Sequence, residues 1–287
     1  MKTVEFEQPA NLAALYLGAL LSARKRPGAV ETLPRVTYVQ PQVVLESAHI
    51  ANYARVCGFD EAHGVPVTYP QMLTFPLVMA FFGSTDCPWP ALGTVHLANR
   101  IEQRQRLSPG DALRVEVSTG ALLAHEKGQA FTLEMKITRA HEIVWEGTQT
   151  LLRLRVKKPA GPAYSSEFAA EMPLSHQADF SVPGDIGRRY GRVSGDLNPI
   201  HLSALSAQLF GFRRAIAHGL WTKARALAAL MPRAAVARAT AAVEFKMPLY
   251  LPARASLWAA HDAQGAWFEV RNARSDKPHL RGHLSYQ

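Results

Sequence analysis

The segment SGDLNPIH, residues 194–201, places a carboxylate and an imidazole within one short stretch of chain. Asp196 and His201 are residue types that move protons to and from a substrate when they are held close together. Asn198 and Pro199 stand between them, and the proline keeps the segment from continuing as regular helix. Asp-x-Asn-Pro is also ordinary turn chemistry, with the Asp as a cap and the His on the surface. The segment alone leaves both interpretations open, an acid–base site or a capped turn.

A short sequence recurs about half a chain apart. Residues 53–58 read YARVCG and residues 190–195 read YGRVSG, so that Tyr, Arg, Val and Gly match in register. An extended run precedes each copy and an apolar run with helical spacing follows it. The extended runs are 35–45 and 177–183, and the apolar helical runs are 70–82 and 219–231.

Strand-like runs follow each helix, and many of them alternate apolar and polar residues as half-buried antiparallel strands do. A long helix wrapped by a curved antiparallel sheet is the hot-dog arrangement. The pattern therefore predicts an α+β protein with a tandem, or double, hot-dog fold. We expect an N-terminal unit at 1–157, a linker rich in Pro, Ala and Ser at 158–175, and a C-terminal unit at 176–287. The strand-like runs are 93–103, 112–119, 129–140 and 142–156 in the first half, and 241–251, 253–261, 266–273 and 279–286 in the second.

Composition places the chain among ordinary globular proteins. It has 287 residues, of which 48% are hydrophobic and 19% charged. Cys57 and Cys87 are the only cysteines, which excludes a disulfide framework and favours the cytoplasm. The apolar run 12–21 is too short to span a membrane, and Glu5 and Glu7 precede it in place of the basic lead of a signal peptide. We expect a short helix packed on the body of the protein, and no membrane span.

The net charge of +9 favours anionic partners, such as an acidic carrier protein, a phosphorylated cofactor or nucleic acid. The basic residues are scattered, and the densest cluster lies in 153–158. No helix-turn-helix, zinc-finger or aromatic RNA-binding pattern accompanies them. We therefore expect a generally basic surface and no binding of nucleic acid.

A longer motif surrounds the first segment. Residues 190–222 resemble the hydratase motif of the MaoC-like family, the R-specific enoyl-CoA hydratases and 3-hydroxyacyl-thioester dehydratases, and the two-unit layout resembles their double hot-dog members. Ser203 stands where an acidic residue is common in this motif, and Ala215 where a proline is common. The matching elements are Tyr190, Ser194-Gly195-Asp196, Asn198-Pro199-Ile200-His201, Gly211-Phe212 and Ile216-Ala217-His218-Gly219.

The resemblance implies a hydro-lyase of fatty-acyl metabolism that interconverts trans-2-enoyl and (R)-3-hydroxyacyl thioesters. It implies that Asp196 and His201 form an acid–base dyad around one water molecule, with the order of proton transfers left open. Asn198 and Ser194 would orient the dyad or the water. Gly219 opens the second apolar helix, where backbone N–H groups lack helical partners, and would stabilise the thioester oxygen as negative charge develops on it.

Further residues are expected to bind substrate. Arg213 and Arg214 would meet the phosphates of coenzyme A or of a carrier protein, or else form a solvated face. His218 either contacts substrate or is a structural histidine at the helix start. Met72 and Phe75 would line the acyl chain or be plain core. The complete set of candidate substrate-binding residues is Tyr190, Ile216, His218, Arg213, Arg214, Met72 and Phe75.

The first half lacks the proposed chemistry at the matching positions. Aligned on Gly58, the position of Asp196 holds Phe59 and that of His201 holds Gly64. Aligned on the helix start, Gly219 faces Pro70, which has no N–H to donate. We expect that the N-terminal unit has lost catalysis and receives the acyl chain. Asp60 and His63, nearby, are expected to form a solvated loop.

The family implies neither a metal nor a redox cofactor, and coenzyme A or phosphopantetheine enters only as part of the substrate. A metal site from Asp196, His201 and His218 would lack a further ligand at usual spacing. Two alternatives remain: a hot-dog acyl-CoA thioesterase, against which the Asn-Pro-Ile-His motif argues, and a non-catalytic module that binds acyl thioesters. The expected partner is an acyl-CoA or an acyl carrier protein thioester, and exposed sheet edges would permit a homodimer.

Overall fold

A computed structural model of the chain describes residues 2–7, 11–25, 28–168, 173–234, 236–272 and 277–287. Each strand-like run of the sequence forms a strand, and both apolar helical runs form helices. The strands are β1 Lys2–Glu5, β2 Val36–Val44, β3 Thr94–Gln103, β4 Ala112–His125, β5 Gly128–Arg139, β6 Glu142–Leu154, β7 Ser175–Val182, β8 Ala239–Phe245, β9 Ala253–Asp262, β10 Gly265–Asn272 and β11 Pro278–Tyr286. The helices are α1 Leu12–Leu21, α2 Ser47–Cys57, α3 Pro70–Leu73, α4 Phe75–Gly83, α5 Ile186–Ser194, α6 Pro199–Leu202, α7 Ala204–Gln208 and α8 Gly219–Leu230, with 3-10 turns at Ser22–Arg24 and Glu61–His63.

The chain forms two compact units, and each is discontinuous in sequence. The boundaries differ from the contiguous halves, 1–157 and 176–287, that the repeat predicts. The difference arises because α2, although it comes from the first half of the sequence, packs against α5 and α8. The first unit consists of Met1–Leu45, Pro70–Ile101 and Asp111–Glu167, and the second of Glu46–Tyr69, Glu102–Gly110 and Phe168–Gln287.

The predicted linker, 158–175, is only partly described, because residues 169–172 lie outside the described ranges. The part that is described includes a segment held to the first unit. Ala124 of β4 donates its N–H to the Pro162 carbonyl at 2.8 Å and accepts from the Tyr164 N–H at 2.7 Å. This stretch therefore pairs with β4 through an isolated β-bridge between Ala124 and Ala163.

The first unit contains a sheet in the order β1-β2-β4-β5-β6-β3. β1 runs parallel to β2, and the β2–β4, β4–β5 and β5–β6 pairs are antiparallel. The alternation of the sequence sets the faces: Leu113, Val115 and Val117 of β4 are buried, while Arg114 and Glu116 between them form an ion pair. The apolar helix α4 packs against β2 and β4 and buries a continuous run, Leu77–Phe82.

The helix predicted at 70–82 is interrupted. α3 ends at Leu73 and α4 begins at Phe75, with Thr74 between them. Pro76 lies in the first turn of α4, where the missing N–H is tolerated. The break is stabilised by buried polar contacts, since the Thr74 hydroxyl donates to the Gln71 carbonyl at 2.7 Å.

The second unit contains an antiparallel sheet in the order β8-β11-β10-β9-β7. α8 packs against β10 and β11 and buries Trp221, Ala224 and Leu227. Lys223 on the same helix is 1% exposed, and its ammonium donates to the Ala241 carbonyl of β8 at 3.0 Å. Each unit therefore has the predicted helix and antiparallel sheet.

The N-terminal apolar run forms α1, as predicted. It packs against α4 where two glycines meet, since a Cβ on Gly18 would contact the Gly83 Cα at 3.4 Å. Leu17 and Leu20 of α1 are exposed. Across the described ranges, no helix combines the length and the apolar character that crossing a membrane would require.

Candidate active site

The loop after α5 carries the predicted dyad. α5 ends at Gly195, which adopts a left-handed conformation with φ 76° and turns the chain away from the helix. Asp196 follows directly and is partly exposed. Asn198 then caps α6, with its Oδ1 accepting from the Ile200 N–H at 3.4 Å. Pro199 does not exclude helix here, contrary to the expectation, because it occupies the first position of the single turn α6.

Hydrogen bonds within the loop fix Asp196. Its Oδ1 accepts from the Asn198 N–H at 3.1 Å, and its own N–H donates to the Ser194 hydroxyl at 3.2 Å. Ser194 is buried at the end of α5. Asn198 and Ser194 thus orient Asp196 through the backbone.

His201 on α6 is held by a backbone carbonyl. Its Nδ1 lies 2.8 Å from the Ile216 oxygen, and since a carbonyl only accepts, Nδ1 carries the proton. The neutral ring therefore presents Nε2 as an acceptor. His201 is 8% exposed, and this burial lowers its pKa below the ordinary value, although Asp196 and the Ile216 carbonyl act in the opposite direction.

His218 lies against both members of the dyad. Its ring stacks on that of His201 with centroids 3.6 Å apart, and its Nε2 donates to the Asp196 carbonyl at 3.0 Å. The Asp196 carboxylate oxygen Oδ2 is 3.7 Å from the same nitrogen. Burial and the neighbouring His201 hold the pKa of His218 well below its usual range, so it is neutral. Its Nδ1 is buried, and within the described ranges no hydrogen-bond partner reaches it.

Two glycines of α5 let the loop lie close to the helix. A Cβ on Gly187 would overlap the His201 carbonyl oxygen, and a Cβ on Gly191 would lie 2.8 Å from the Asp196 carbonyl oxygen. They are four residues apart, on one face of the helix. The motif did not identify these residues, although the spacing Gly-x-x-x-Gly was visible in the sequence.

The start of α8 borders the same loop through His218, which is its N-cap. Gly219 is the first helical residue, and the first N–H groups of a helix have no partner within it. Gly219 is the residue predicted to stabilise the thioester oxygen through its N–H. Packing gives a further reason for glycine at this position, because a Cβ at Gly219 would lie 2.7 Å from the Phe245 ring.

The other predicted substrate-binding residues lie in different environments. Tyr190 is 2% exposed and lies beside His218, with ring centroids 4.9 Å apart; burial raises its pKa. Ile216 is buried and contributes its carbonyl to His201. Arg213 and Arg214 are exposed and lie near Tyr250, which the sequence analysis did not identify.

Met72 and Phe75 belong to the first unit. Met72 of α3 is 7% exposed. Phe75 of α4 is half-buried, and its ring lies 6.4 Å from that of Tyr16 in α1. Their assignment to the acyl chain stays a prediction.

Asp196, His201 and His218 are close enough together to be considered as a metal site. One ligand atom from each lies within 4.8 Å of the other two. A metal ion would have to lie in the plane of both imidazole rings, along the nitrogen lone pairs. The rings instead stack at 24°, so these lone pairs do not converge on one point. The two stacked rings therefore do not offer their lone pairs to one tetrahedral ion.

Comparison with known proteins agrees with the motif and the fold. Residues 165–282 match the model of the MaoC like domain. The 3-hydroxyacyl-thioester dehydratase X of Mycobacterium tuberculosis is 34% identical over 275 residues, which are 95% of this chain and 97% of that protein. The crystal structure of HtdX from the same organism superposes with a TM-score of 0.74 at 31% identity, covering 88% of this chain and all of that one.

A conserved hypothetical protein of Mycobacterium tuberculosis, described as a double hotdog fold, superposes with a TM-score of 0.56 at 13% identity, over 86% of this chain and 93% of that one. At that identity the similarity concerns the fold alone, and together with HtdX it confirms the predicted double hot-dog fold. The extent and identity of the match to the dehydratase settle the family. This chain belongs to the MaoC-like dehydratase family.

Proposed function

We propose that this chain is a hydro-lyase that interconverts trans-2-enoyl and (R)-3-hydroxyacyl thioesters in fatty-acyl metabolism. Identity of 34% with a 3-hydroxyacyl-thioester dehydratase, over nearly the whole of both chains, supports the reaction class. The observation that carries the proposal is the protonation of His201. Its Nδ1–H donates to Ile216 at 2.8 Å, which leaves Nε2 as an acceptor, and a ring nitrogen of His201 lies within 4.8 Å of an Asp196 carboxylate oxygen.

A single base is sufficient for the reaction. In hydration, water held between Asp196 and His201 gives one proton to His201 Nε2 while its oxygen forms the bond to C3. The electrons of the C2–C3 double bond move towards the carbonyl and leave an enolate. The imidazolium then gives the same proton to C2, and the enolate collapses to the thioester. Dehydration is the reverse, and the dyad ends each turnover in the state in which it began.

The environment of His201 suits this role. Burial lowers its pKa, so the ring is neutral at rest and can accept the proton. The imidazolium that forms lies next to the Asp196 carboxylate, which stabilises the charge. Asp196 is itself held by Asn198 and Ser194. It accepts a hydrogen bond from the second O–H of the water, and that hydrogen stays on the oxygen that bonds to C3.

The enolate oxygen needs a donor, and the start of α8 supplies one. The N–H of Gly219 is a first-turn donor without a partner in its own helix, at the positive end of a helix of 12 residues. Such a donor stabilises charge that develops in the transition state. The Leu220 N–H is a second donor on the same turn.

The thioester handle and the acyl chain bind outside this core. We assign the handle to coenzyme A or a carrier protein, and the assignment of the acyl chain to Met72 and Phe75 stays a prediction. The expected location is the cytoplasm, where the buried thiols Cys57 and Cys87, both free, would stay reduced.

The test is hydration of crotonyl-CoA and longer 2-enoyl-CoAs, followed as loss of enoyl absorbance with the product's stereochemistry resolved. His201→Ala removes the general base and should lower kcat about a thousandfold. Asp196→Asn removes the carboxylate that stabilises the imidazolium and should lower kcat as well, by a smaller factor. The matched controls are Asp179→Asn and His176→Ala, an exposed pair on β7 with the same residue types, and they should retain full activity.

Three outcomes would overturn the proposal. Release of free thiol from the enoyl-CoA would identify a thioesterase. Tight binding of enoyl-CoA without turnover would identify a binding module. Formation of the (S)-alcohol would place the water on the other face of the double bond and exclude the assigned geometry.

A further inference from the structure

Two consecutive arginines lie near the ring of one tyrosine, on the segment that follows the catalytic loop. The guanidinium carbons of Arg213 and Arg214 lie 6.0 and 5.8 Å from the centre of the Tyr250 ring. Both arginines are exposed, and Tyr250 is half-buried. Within the described parts of the chain, no carboxylate lies within ion-pair distance of either arginine. We call these three residues the arginine–tyrosine platform.

The platform concentrates positive charge without neutralising it. Each guanidinium gains from the face of the ring, but the two like charges repel one another. A bound anion would offset this positive charge, and guanidinium groups bind phosphate through pairs of parallel N–H donors. The arrangement therefore favours a phosphate group.

The same backbone segment positions the platform and the catalytic histidine. Ile216 bridges Tyr250 in an antiparallel pair, flanked by hydrogen bonds of 2.8 Å from Ala217 to Leu249 and from Leu251 to Ala215. The carbonyl of Ile216 also accepts the Nδ1–H of His201. Arg214 precedes Ile216 by two residues, a span of at most about 7 Å along the backbone. A ligand on the platform would thus lie one short segment away from the dyad.

We propose that the arginine–tyrosine platform binds the phosphate of the phosphopantetheine arm that carries the acyl group. The inference rests on the proposed function, because it takes the substrate to be a thioester of that arm. The phosphate is common to coenzyme A and to acyl carrier protein, and both sources present the same chemistry to the two arginines. The contact holds the handle while the thioester reaches the start of α8.

The test compares three handles on one enoyl chain: pantetheine, which lacks phosphate, 4′-phosphopantetheine, and coenzyme A. Arg213→Ala, Arg214→Ala and the double variant should raise KM about tenfold or more for the two phosphorylated handles, with kcat little changed. KM for the pantetheine thioester should stay at the wild-type value. Arg254→Ala removes an exposed arginine from β9 and is the matched control for loss of charge.

Several results would overturn the assignment. Equal increases in KM for all three handles would show that the arginines support the fold or the acyl chain. Unchanged KM for every handle would exclude the platform from binding. An increase in KM for the coenzyme A thioester alone would show that the arginines contact its nucleotide and not the phosphate of the arm.

A binding measurement separates this inference from the proposed function. Calorimetric titration of the wild type and of the double variant with free phosphopantetheine and with pantetheine requires no turnover. Tighter binding of phosphopantetheine, lost in the double variant, supports the platform even if no enoyl thioester is hydrated. Equal affinity for the two ligands in the wild type overturns it even if the protein is an active hydratase.

Discussion

The helices α2 and α5 share a sequence pattern but lead into different loops. Each buries the repeated tyrosine, Tyr53 or Tyr190, and the two rings lie 6.2 Å apart. Each ends in a left-handed glycine, Gly58 with φ 81° and Gly195 with φ 76°. The repeat of the sequence is therefore a pair of packed helices with the same C-terminal turn. Only the turn after α5 continues into a dyad.

The loop after α2 uses its own Asp and His locally. Asp60 Oδ1 accepts from the Ala62 N–H at 2.9 Å, and His63 Nδ1 accepts from the Asp60 N–H at 3.0 Å. The expectation of a solvated loop was wrong for His63, which is 9% exposed and lies beside the buried ring of Phe59. The two residue types that suit acid–base chemistry form a capping box here.

The residues on one face of α2 and of α5 explain why the loops after these two helices differ. In the register that aligns Tyr53 with Tyr190, Gly187 and Gly191 of α5 correspond to Ile50 and Ala54 of α2. A loop cannot lie as close to α2, since side chains occupy the face that is bare on α5. An Asp and a His after the glycine turn are thus insufficient to form an acid–base dyad. The helix must also have glycines on the face where the backbone that carries them lies.

Outside the dyad itself, the largest effect on activity should come from filling the glycine face of α5 formed by Gly187 and Gly191. Gly187→Ala would place a Cβ on the His201 carbonyl oxygen and push α6 away from α5. Displacing a catalytic group by about 1 Å costs on the order of a hundredfold in rate, so kcat for enoyl-CoA hydration should fall by at least that factor. Circular dichroism and thermal unfolding would verify that the variant is folded. Wild-type kcat in a folded Gly187→Ala protein would contradict the role of the glycine face.

Much of this arrangement could be predicted from the sequence. Alternating residues located most strands to within a few positions, as at β5, although β4 ends six residues later and β8 six residues earlier than the predicted runs. The ordered motif identified Asp196 and His201. The carbonyl of Ile216 could not be found, because a backbone acceptor leaves no residue-type signal. The packing of α2 with α5 and α8 was also missed, since a repeat suggests contiguous halves and cannot show which distant helix buries an apolar face.

A smaller effect is expected at His218. His218→Gln retains a donor for the Asp196 carbonyl but covers less of the His201 ring, so we expect kcat to fall about tenfold. Water that reaches His201 would weaken the desolvation that lowers its pKa, and the pKa would rise towards the ordinary value. The acidic limb of the profile of kcat/KM against pH should therefore move to higher pH. A purely structural role for His218 would lower activity without moving that limb.

The buried histidines should also make stability depend on pH. The pKa values of His201 and His218 are lowered in the folded state from about 6.5, so below pH 6.5 the unfolded chain binds more protons. The free energy of unfolding should be constant above that pH and should fall below it by up to about 1.4 kcal/mol per pH unit for each histidine. Urea unfolding between pH 7.5 and pH 5.5 would measure the slope. His218→Gln should reduce the slope by the share of one histidine, and an unchanged slope would contradict the assignment.

The smallest effect on activity is expected on α2. Ala54→Gly gives that helix the residue of Gly191, and glycine inside a helix lowers the free energy of unfolding by about 1 kcal/mol. Because the loop after α2 carries no dyad, kcat should stay at the wild-type value. Gly191→Ala is the inverse change: it improves helix propensity by the same amount but places a Cβ 2.8 Å from the Asp196 carbonyl oxygen. Enoyl-CoA hydration should therefore fall in Gly191→Ala and stay at the wild-type rate in Ala54→Gly, and urea unfolding would verify that both variants are folded. If Ala54→Gly also lowered kcat, the face of α2 would have to position the dyad as well, and the difference between the two helices would lie in their loops alone.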